Sequence, residues 1–234
     1  MENPQSKYKS RFKPEEFIKR NGYWESKYKQ RTPEALAQRL GLLTSTKLAG
    51  ALNMSPYGDP TTVAGAIAAQ LDEGKKNKAM EHGNKYEELA RLWYEETHGV
   101  EVVEANLCVP DWDKRLGASP DGLIGEDGIL EVKCPDGKMY PQILGYWYAK
   151  PKPQGTNHIF ISHYLQIQLA MKVLKRKWCD YVVMYLPNAE QEDDDCYEPM
   201  IFEQRIYFDE EYWETNLYPS ICDFFDTHLP GYKA

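Results

Sequence analysis

The most constraining feature of the sequence is SPDGLIGEDGILEVKCP at residues 119–135, where two β-rich runs flank a turn rich in Gly and Asp. Asp121 precedes Glu131 by ten residues, a spacing that suits a bent hairpin. Side chains alternate between the two faces of a strand, so Glu131 and Lys133 are expected on one face and Val132 on the other. The stretch therefore predicts a hairpin that carries an acid and a base side by side.

This predicted hairpin suggests phosphodiester chemistry. If the turn brings Asp121 beside Glu131, two carboxylates and a backbone carbonyl form the oxygen-rich site that Mg²⁺ prefers. Such an ion can polarise a phosphodiester and lower the pKa of its water, while the Lys133 ammonium orients that water and offsets developing charge. A Glu-x-Lys pair alone is also common on solvent-exposed strands. The preceding Pro120-Asp121, the apolar Ile129-Leu130 run and a second acid on an upstream helix favour a metal-dependent nuclease.

The order of predicted elements indicates a mixed α/β layer fold in a single domain over residues 1–234. Thr32 is predicted to cap a helix that begins at Pro33, and NKYEELARLWYEET (84–97) has the periodicity of an amphipathic helix. The β-rich runs between residues 100 and 135 predict a meander or hairpin. The remaining predicted elements are a helix at HYLQIQLAMKVLKR (163–176), strands at WCDYVVMYLP (178–187) and MIFEQRIYF (200–208), and a closing helix within residues 210–229.

Charge is segregated along the chain, although the net charge is −8. Residues 7–31 carry nine Lys/Arg against three Asp/Glu, and residues 190–234 carry thirteen acidic against two basic residues. We expect residues 1–31 to form a basic arm with at most one short helix, and residues 188–234 to form an acidic strand and helix. Two interpretations stay open: two solvated faces, or a basic face that meets a polyanion. In the arm, Trp24 lies among lysines and is a candidate nucleic-acid contact.

Other classes of protein are disfavoured. The longest apolar run is far shorter than the roughly 20 residues that cross a bilayer, and the N-terminus lacks the apolar segment of a secretory signal. The five cysteines are far apart with no CxxC pair, which argues against a zinc ribbon or an iron–sulfur cluster. The five histidines are scattered and are expected to be structural. These features predict an intracellular, cytoplasmic protein.

Several segments resemble the PD-(D/E)xK nucleases, and more closely the branch of phage lambda exonuclease and the YqaJ-type viral recombinases. GASPDG (117–122) and LEVKCP (130–135) are similar to the metal-site hairpin of this family. EHGNKYEELA (81–90) resembles its Gly-x-x-x-Glu helix, and HYLQIQLAM (163–171) its Gln-x-Gln helix. RLGLLTSTKLAGAL (39–52) resembles the segment that grips a terminal 5′ phosphate. The similarity covers roughly residues 36–187, in the expected order.

The resemblance implies a restriction-endonuclease-like core, in which helices flank a central mixed β-sheet, and it implies roles for single residues. Asp121, Glu131 and the carbonyl of Val132 would bind one or two Mg²⁺ ions, or Mn²⁺ in their place, and Lys133 would activate water. Glu87 would be an outer or second-metal acid. The remaining implied positions are Gln166 and, less directly, Gln168 in the cleft, Asp111 as a further acid, and Arg39, Thr44, Thr46 and Ser119 as the 5′-phosphate pocket.

The implied activity is that of a 5′→3′ exonuclease on ends of double-stranded DNA. The resemblance also implies a toroidal homotrimer and a single-strand annealing partner in phage or prophage recombination. Three alternatives stay open: an endonuclease of the same fold that cuts internally, a non-catalytic module that binds DNA ends, and a structural protein with an accidental hairpin.

Overall fold

The computed structural model of the chain describes residues 12–56, 58–70, 78–135, 159–186 and 199–232. In these residues the strands are β1 (Phe17–Lys19), β2 (Tyr23–Ser26), β3 (Leu43–Thr44), β4 (Val102–Val103), β5 (Cys108–Pro110), β6 (Leu116–Gly117), β7 (Gly122–Ile124), β8 (Gly128–Lys133), β9 (Trp178–Tyr185) and β10 (Met200–Tyr207). The helices are α1 (Pro33–Arg39), α2 (Leu48–Ala51), α3 (Pro60–Ala69), α4 (Lys78–His98), α5 (Ile161–Leu174) and α6 (Tyr218–His228), the last preceded by Glu210–Tyr212 and a π-helical turn at Trp213–Leu217.

A mixed five-stranded sheet in the order β10-β9-β8-β7-β4 forms the centre of the fold. Strands β8 and β9 are parallel, and the other neighbours are antiparallel. Alternation assigns the side chains of β8 to two cores: Ile129 packs with α5, whereas Leu130 and Val132 pack with Tyr94 of α4. The mixed α/β fold predicted from the order of elements is confirmed.

The predicted hairpin is confirmed as β7 and β8, which pair Gly122 with Leu130 and Ile124 with Gly128. The connection begins at Gly125, whose φ of 52° lies in the left-handed region that favours glycine. A Cβ atom on Gly128 would lie 2.2 Å from the ring of Trp178 on β9, so the close approach of β8 and β9 requires glycine there.

Helix α5 is buried on all sides. Ten of its fourteen residues are buried, including the polar Gln166 and Gln168. Because a buried amide without a hydrogen-bond partner is costly, both glutamines must be bonded within the protein. Their partners assign them different roles, as described below.

Most predicted helices and strands are confirmed. Thr32 accepts a bond from the N–H of Ala35, with Pro33 as the first helical residue. The predicted helix at residues 84–97 lies within α4, the helix at 163–176 is α5, and the two late strands are β9 and β10. In the described part of the chain no helix is both long and apolar enough to cross a membrane.

One expectation was wrong. The described part of the N-terminal arm is not a tail with a short helix: after a single 3₁₀ turn at Pro14–Glu16 it forms the β1–β2 hairpin, which pairs with β5. Its aromatic and apolar residues pack with Leu107 and Val109, so burial outweighs its polar composition. Of the two alternatives predicted for residues 100–135, a meander or a hairpin, the structure shows the hairpin β7–β8, whereas β5 pairs with β2 and β6 pairs with β3. The single domain over residues 1–234 stays a prediction.

Candidate active site

The hairpin places Asp121 beside Glu131. Asp121 directly precedes β7, and an Oδ2 atom of Asp121 accepts a hydrogen bond of 2.7 Å from the N–H of Val132. This bond joins the start of β7 to the end of β8. The sequence spacing therefore produces the predicted proximity, and the backbone of β8 holds the carboxylate in place.

Glu131 is the most enclosed of the acids, with 1% of its surface exposed. Its Oε1 atom accepts hydrogen bonds from Nζ of Lys133 and from Nε2 of Gln166. Gln166 lies on α5, so that helix orients the carboxylate from the face opposite α4. The side chain of Lys133 retains 25% exposure, compared with 1% for that of Glu131.

The pKa shifts at this site follow from burial and from the closeness of like charges. Burial raises the pKa of Glu131 to about 7, with Lys133 opposing and Asp121 reinforcing the shift. Burial likewise raises the pKa of Asp121, although Lys133 and the N–H of Val132 oppose it. Burial alone would lower the pKa of Lys133, but the charges of Glu131 and Asp121 outweigh it and raise that pKa. The buried carboxylates are therefore close enough to raise one another's pKa.

These residues fit a divalent cation. The Oε2 atom of Glu131 is buried and has no hydrogen-bond partner among the described residues. Mg²⁺ is usually held by one or two carboxylates together with waters and substrate oxygens, so Asp121 and Glu131 suffice as acidic ligands. Such a cation would also offset the repulsion between them. The role of the Val132 carbonyl stays a prediction.

Glu87 extends this cluster from α4. Burial and the charge of Asp121 raise its pKa, and Arg31 opposes the shift. Its carboxylate forms an ion pair with Arg31, a residue that sequence reasoning did not single out. Among the described residues, no group of three or more His, Cys, Asp or Glu side chains forms a ready-made metal site.

A cluster of one arginine and three hydroxyl side chains includes Ser119, which lies two residues before Asp121 in the chain. Nη1 of Arg39 donates to Oγ of Ser119 at 2.9 Å, and Nη2 donates to Oγ1 of Thr46 at 3.5 Å. Oγ1 of Thr46 lies 3.1 Å from that of Thr44. The parallel pair of β3 and β6 produces this arrangement, because Thr44 is opposite Gly117, two residues before Ser119. We call Arg39, Thr44, Thr46 and Ser119 the hydroxyl pocket.

The structure separates three candidates from the acids. Gln168 is fully buried, and its amide donates to the carbonyl of Tyr207 and accepts from the N–H of Asp209, so it fastens α5 to the end of β10. Asp111 pairs with Lys19 and Lys114 beside the N-terminal hairpin. Trp24 is half-buried against Phe12, and both lysines lie over its ring, which leaves little room for a base.

Behind the site, Nδ1 of His163 lies 2.7 Å from the hydroxyl of Tyr181. Burial lowers the pKa of His163 to about 3, with a smaller contribution from Lys133, so the ring stays neutral. This is the structural hydrogen bonding that the scattered histidines predicted. Trp147 and Tyr148, which could also stack on bases, lie outside the described residues.

Comparisons with known proteins give results for both sequence and fold. Residues 34–177 match the family described as the YqaJ-like viral recombinase domain. A curated relative, "Uncharacterized protein R354" of Acanthamoeba polyphaga mimivirus, is 24% identical over 206 residues, which are 78% of this chain and 35% of that protein. The chain thus spans about a third of the length of the curated relative it matches.

Two solved structures share the fold. The alkaline exonuclease LHK-Exo of Laribacter hongkongensis, also solved with dAMP, is 28% identical with a TM-score of 0.61, over 83% of this chain and 91% of that one. A phage-related exonuclease of Haemophilus somnus 129PT is 16% identical with a TM-score of 0.54, over 82% of this chain and 93% of that one, and it shows the fold alone. The restriction-endonuclease-like fold that the motifs implied is confirmed.

Proposed function

The chain belongs to the YqaJ-like viral recombinase domain family, and on that premise we propose that it is a Mg²⁺-dependent 5′→3′ exonuclease acting on ends of double-stranded DNA. It would hydrolyse phosphodiesters, release mononucleotides and leave the partner strand single. The relative LHK-Exo supports this proposal, because it is an alkaline exonuclease and has been solved with a deoxynucleoside monophosphate.

One observation carries the proposal: the hydroxyl pocket and the acids share the segment Ser119-Pro120-Asp121. Two residues of extended chain span at most about 7 Å, so a phosphate bound at Ser119 lies close to the carboxylate of Asp121. The planar fork of Arg39 suits the oxygens of a phosphate, and the hydroxyls add one donor each. A terminal 5′ phosphate held there would present a neighbouring phosphodiester to the acids, as an end-dependent enzyme requires.

In the proposed reaction each residue of the site has a distinct task. A divalent cation held by Asp121 and Glu131 would supply Lewis-acid polarisation of the scissile phosphate. Lys133 would orient the attacking water and offset negative charge that develops on the phosphate oxygens. Gln166 would hold the Glu131 carboxylate in its rotamer, and the Val132 N–H would do the same for Asp121.

The proposed function is tested by digestion of linear duplex DNA with a 5′ phosphate, in Mg²⁺ or in EDTA, beside a covalently closed circle. We expect Mg²⁺-dependent loss of the linear substrate to mononucleotides, with Mn²⁺ able to replace Mg²⁺, and an intact circle. Cleavage of the circle would instead support an endonuclease of the same fold. Binding of ends without cleavage would support a non-catalytic end-binding module.

Replacing Arg39 by alanine is expected to remove the preference for phosphorylated ends. The charge-assisted bonds of a guanidinium to phosphate correspond to about 10- to 100-fold in rate at low substrate concentration. We therefore expect kcat/KM to fall by that factor on 5′-phosphorylated duplex and to change little on 5′-hydroxyl duplex. Arg20→Ala is the matched control, because Arg20 pairs with Glu25 away from the pocket. An equal loss on both substrates would contradict the assignment.

The toroidal homotrimer and the single-strand annealing partner belong to the same proposal. A ring would allow a chain with a net charge of −8 to hold DNA, because only the lining of the channel needs to be basic. The exonuclease and its annealing partner would act on DNA ends inside the host cell of a phage or prophage.

A further inference from the structure

The segment Lys29–Arg31 forms one wall of a cavity at the acids. The cavity holds about 270 Å³ and is lined by Lys29, Gln30, Arg31, Glu87, Glu88, Arg91, Glu104 and Asp121. We propose that this cavity binds a phosphodiester of the substrate strand, and that Arg31 exchanges the Glu87 carboxylate for a phosphate oxygen when DNA enters. This inference rests on the proposed function, since it concerns DNA at the same site.

Hydrogen bonds attach the segment Lys29–Arg31 to the β7–β8 hairpin. Nε2 of Gln30 donates to the carbonyls of Ala105 and Pro120, at 2.5 and 3.1 Å. Pro120 directly precedes Asp121, so Gln30 ties the segment to the residue before a proposed metal ligand. The hydroxyl of Thr32 bonds the carbonyl of Lys29 at 2.9 Å. Arg31 is therefore held at the cavity by its neighbours and does not depend on Glu87 alone.

Arg31 differs from the other described cations of the basic arm in where its partner lies. The contacts of four others keep them at the N-terminal hairpin and the adjoining end of β5: Lys13 with Glu16, Lys19 with Asp111, Arg20 with Glu25, and Lys27 with the carbonyl of Glu15. Arg31 instead reaches across to α4 and pairs with Glu87. Lys29, which is exposed, adds a second positive charge to the same wall.

The Arg31–Glu87 pair is suited to exchange. The side chain of Arg31 is 52% exposed and that of Glu87 is 28% exposed, so solvent weakens their attraction. A guanidinium has five N–H donors, and the one contact shown for Arg31 within the described residues uses Nη2. The remaining donors are directed to no other described group and can bind phosphate oxygens. Phosphate contacts of this kind position DNA without reading its sequence.

The test is binding of a fluorescein-labelled, 5′-phosphorylated duplex in EDTA, followed by anisotropy across a series of NaCl concentrations. Glu87→Gln is expected to tighten binding about threefold, because it removes a negative charge and releases Arg31. The double variant Arg31→Ala/Glu87→Gln is expected to bind about tenfold more weakly than Glu87→Gln alone. The slope of log Kd against log [NaCl] should fall by about 0.9, the value for one lost phosphate contact. Arg20→Ala should change neither quantity.

The opposing explanation is that Arg31 serves only to hold Glu87. In that case Glu87→Gln would weaken binding or leave it unchanged, and Arg31→Ala would have no effect once Glu87 is replaced. Either result overturns the proposal, as does a wild-type chain that binds no duplex. Circular dichroism melting of each variant shows whether it is folded, and Arg31→Lys, which keeps the charge without the fork, should restore part of the affinity.

Failure of this inference can be told apart from failure of the proposed function. If wild-type protein digests linear DNA but the variants bind with unchanged Kd and salt slope, the role of Arg31 is lost and the exonuclease proposal stands. If wild-type protein binds but does not cut in Mg²⁺ while Arg31→Ala weakens binding, the phosphate site stands and the exonuclease proposal fails.

Discussion

Replacing Lys133 by alanine is expected to lower the rate of duplex digestion by about 10³-fold. A preorganised charge that stabilises a developing anion contributes about 10²- to 10³-fold. The ammonium group of Lys133 contacts Glu131, so in the proposed reaction it would lie beside the scissile phosphate and supply that charge while it orients the attacking water. The measurement is single-turnover cleavage of 5′-phosphorylated duplex in saturating Mg²⁺.

The control for this prediction is Lys177→Ala. Lys177 pairs with Asp127 at the hairpin turn, with 72% of its side chain exposed, so its removal should leave the rate unchanged. Binding of duplex in EDTA shows whether Lys133→Ala still reaches DNA. A folded Lys133→Ala variant that keeps more than a tenth of the wild-type rate would remove Lys133 from the proposed chemistry.

Replacing Arg205 by alanine is expected to lower the free energy of unfolding by about 2 kcal/mol, below the range for a fully buried ion pair because Asp180 is buried but Arg205 is half-exposed. Nε and Nη2 of Arg205 donate to the two carboxylate oxygens of Asp180, at 2.7 and 2.8 Å. Asp180 is 2% exposed, so without Arg205 its charge is left in the core with the hydroxyl of Tyr94 as its remaining side-chain partner among the described residues. Arg205 also stacks at 3.8 Å on the ring of Trp178.

Urea unfolding followed by circular dichroism measures this loss. Arg20→Ala is a matched control, because Arg20 is 47% exposed and Arg205 is 46% exposed, and its pair should contribute at most about 1 kcal/mol. In the double variant Arg205→Ala/Asp180→Asn the buried charge is absent. The loss of unfolding free energy in the double variant should therefore be smaller than the sum of the losses in the two single variants. If the loss in the double variant equalled that sum, the unpaired charge of Asp180 would not be the cause of the destabilisation by Arg205→Ala.

The sequence predicted the arrangement of Asp121, Glu131 and Lys133 more completely than the fold around them. Asp121, Glu131 and Lys133 are near one another in the chain, and strand alternation across a short turn places the last two on one face. Helix α4 was equally predictable from the sequence, because its apolar residues recur at helical spacing and it ends before Gly99. Local periodicity and short-range spacing are sufficient to predict structure where the contacting residues belong to one element or to two elements that are neighbours in the chain.

Other features depended on contacts between residues far apart in the chain. The arm looked like a polar tail, yet β2 pairs with β5, more than eighty residues away. Gln166 and Gln168 are equivalent in a Gln-x-Gln motif, but on a fully buried helix two positions lie about 200° apart, so one meets Glu131 and the other meets the end of β10.

What the sequence by itself determined was therefore the hairpin, its acid–base set and the periodic helices, because alternation and helical period are local properties of the backbone. Only the tertiary structure decided that Arg31 faces Glu87, that Lys19 and Lys114 cover Trp24, and that Arg39 meets Ser119. Those contacts arise when the sheets and helices pack to bury their apolar faces, and no short-range pattern encodes which charged side chains that packing brings together.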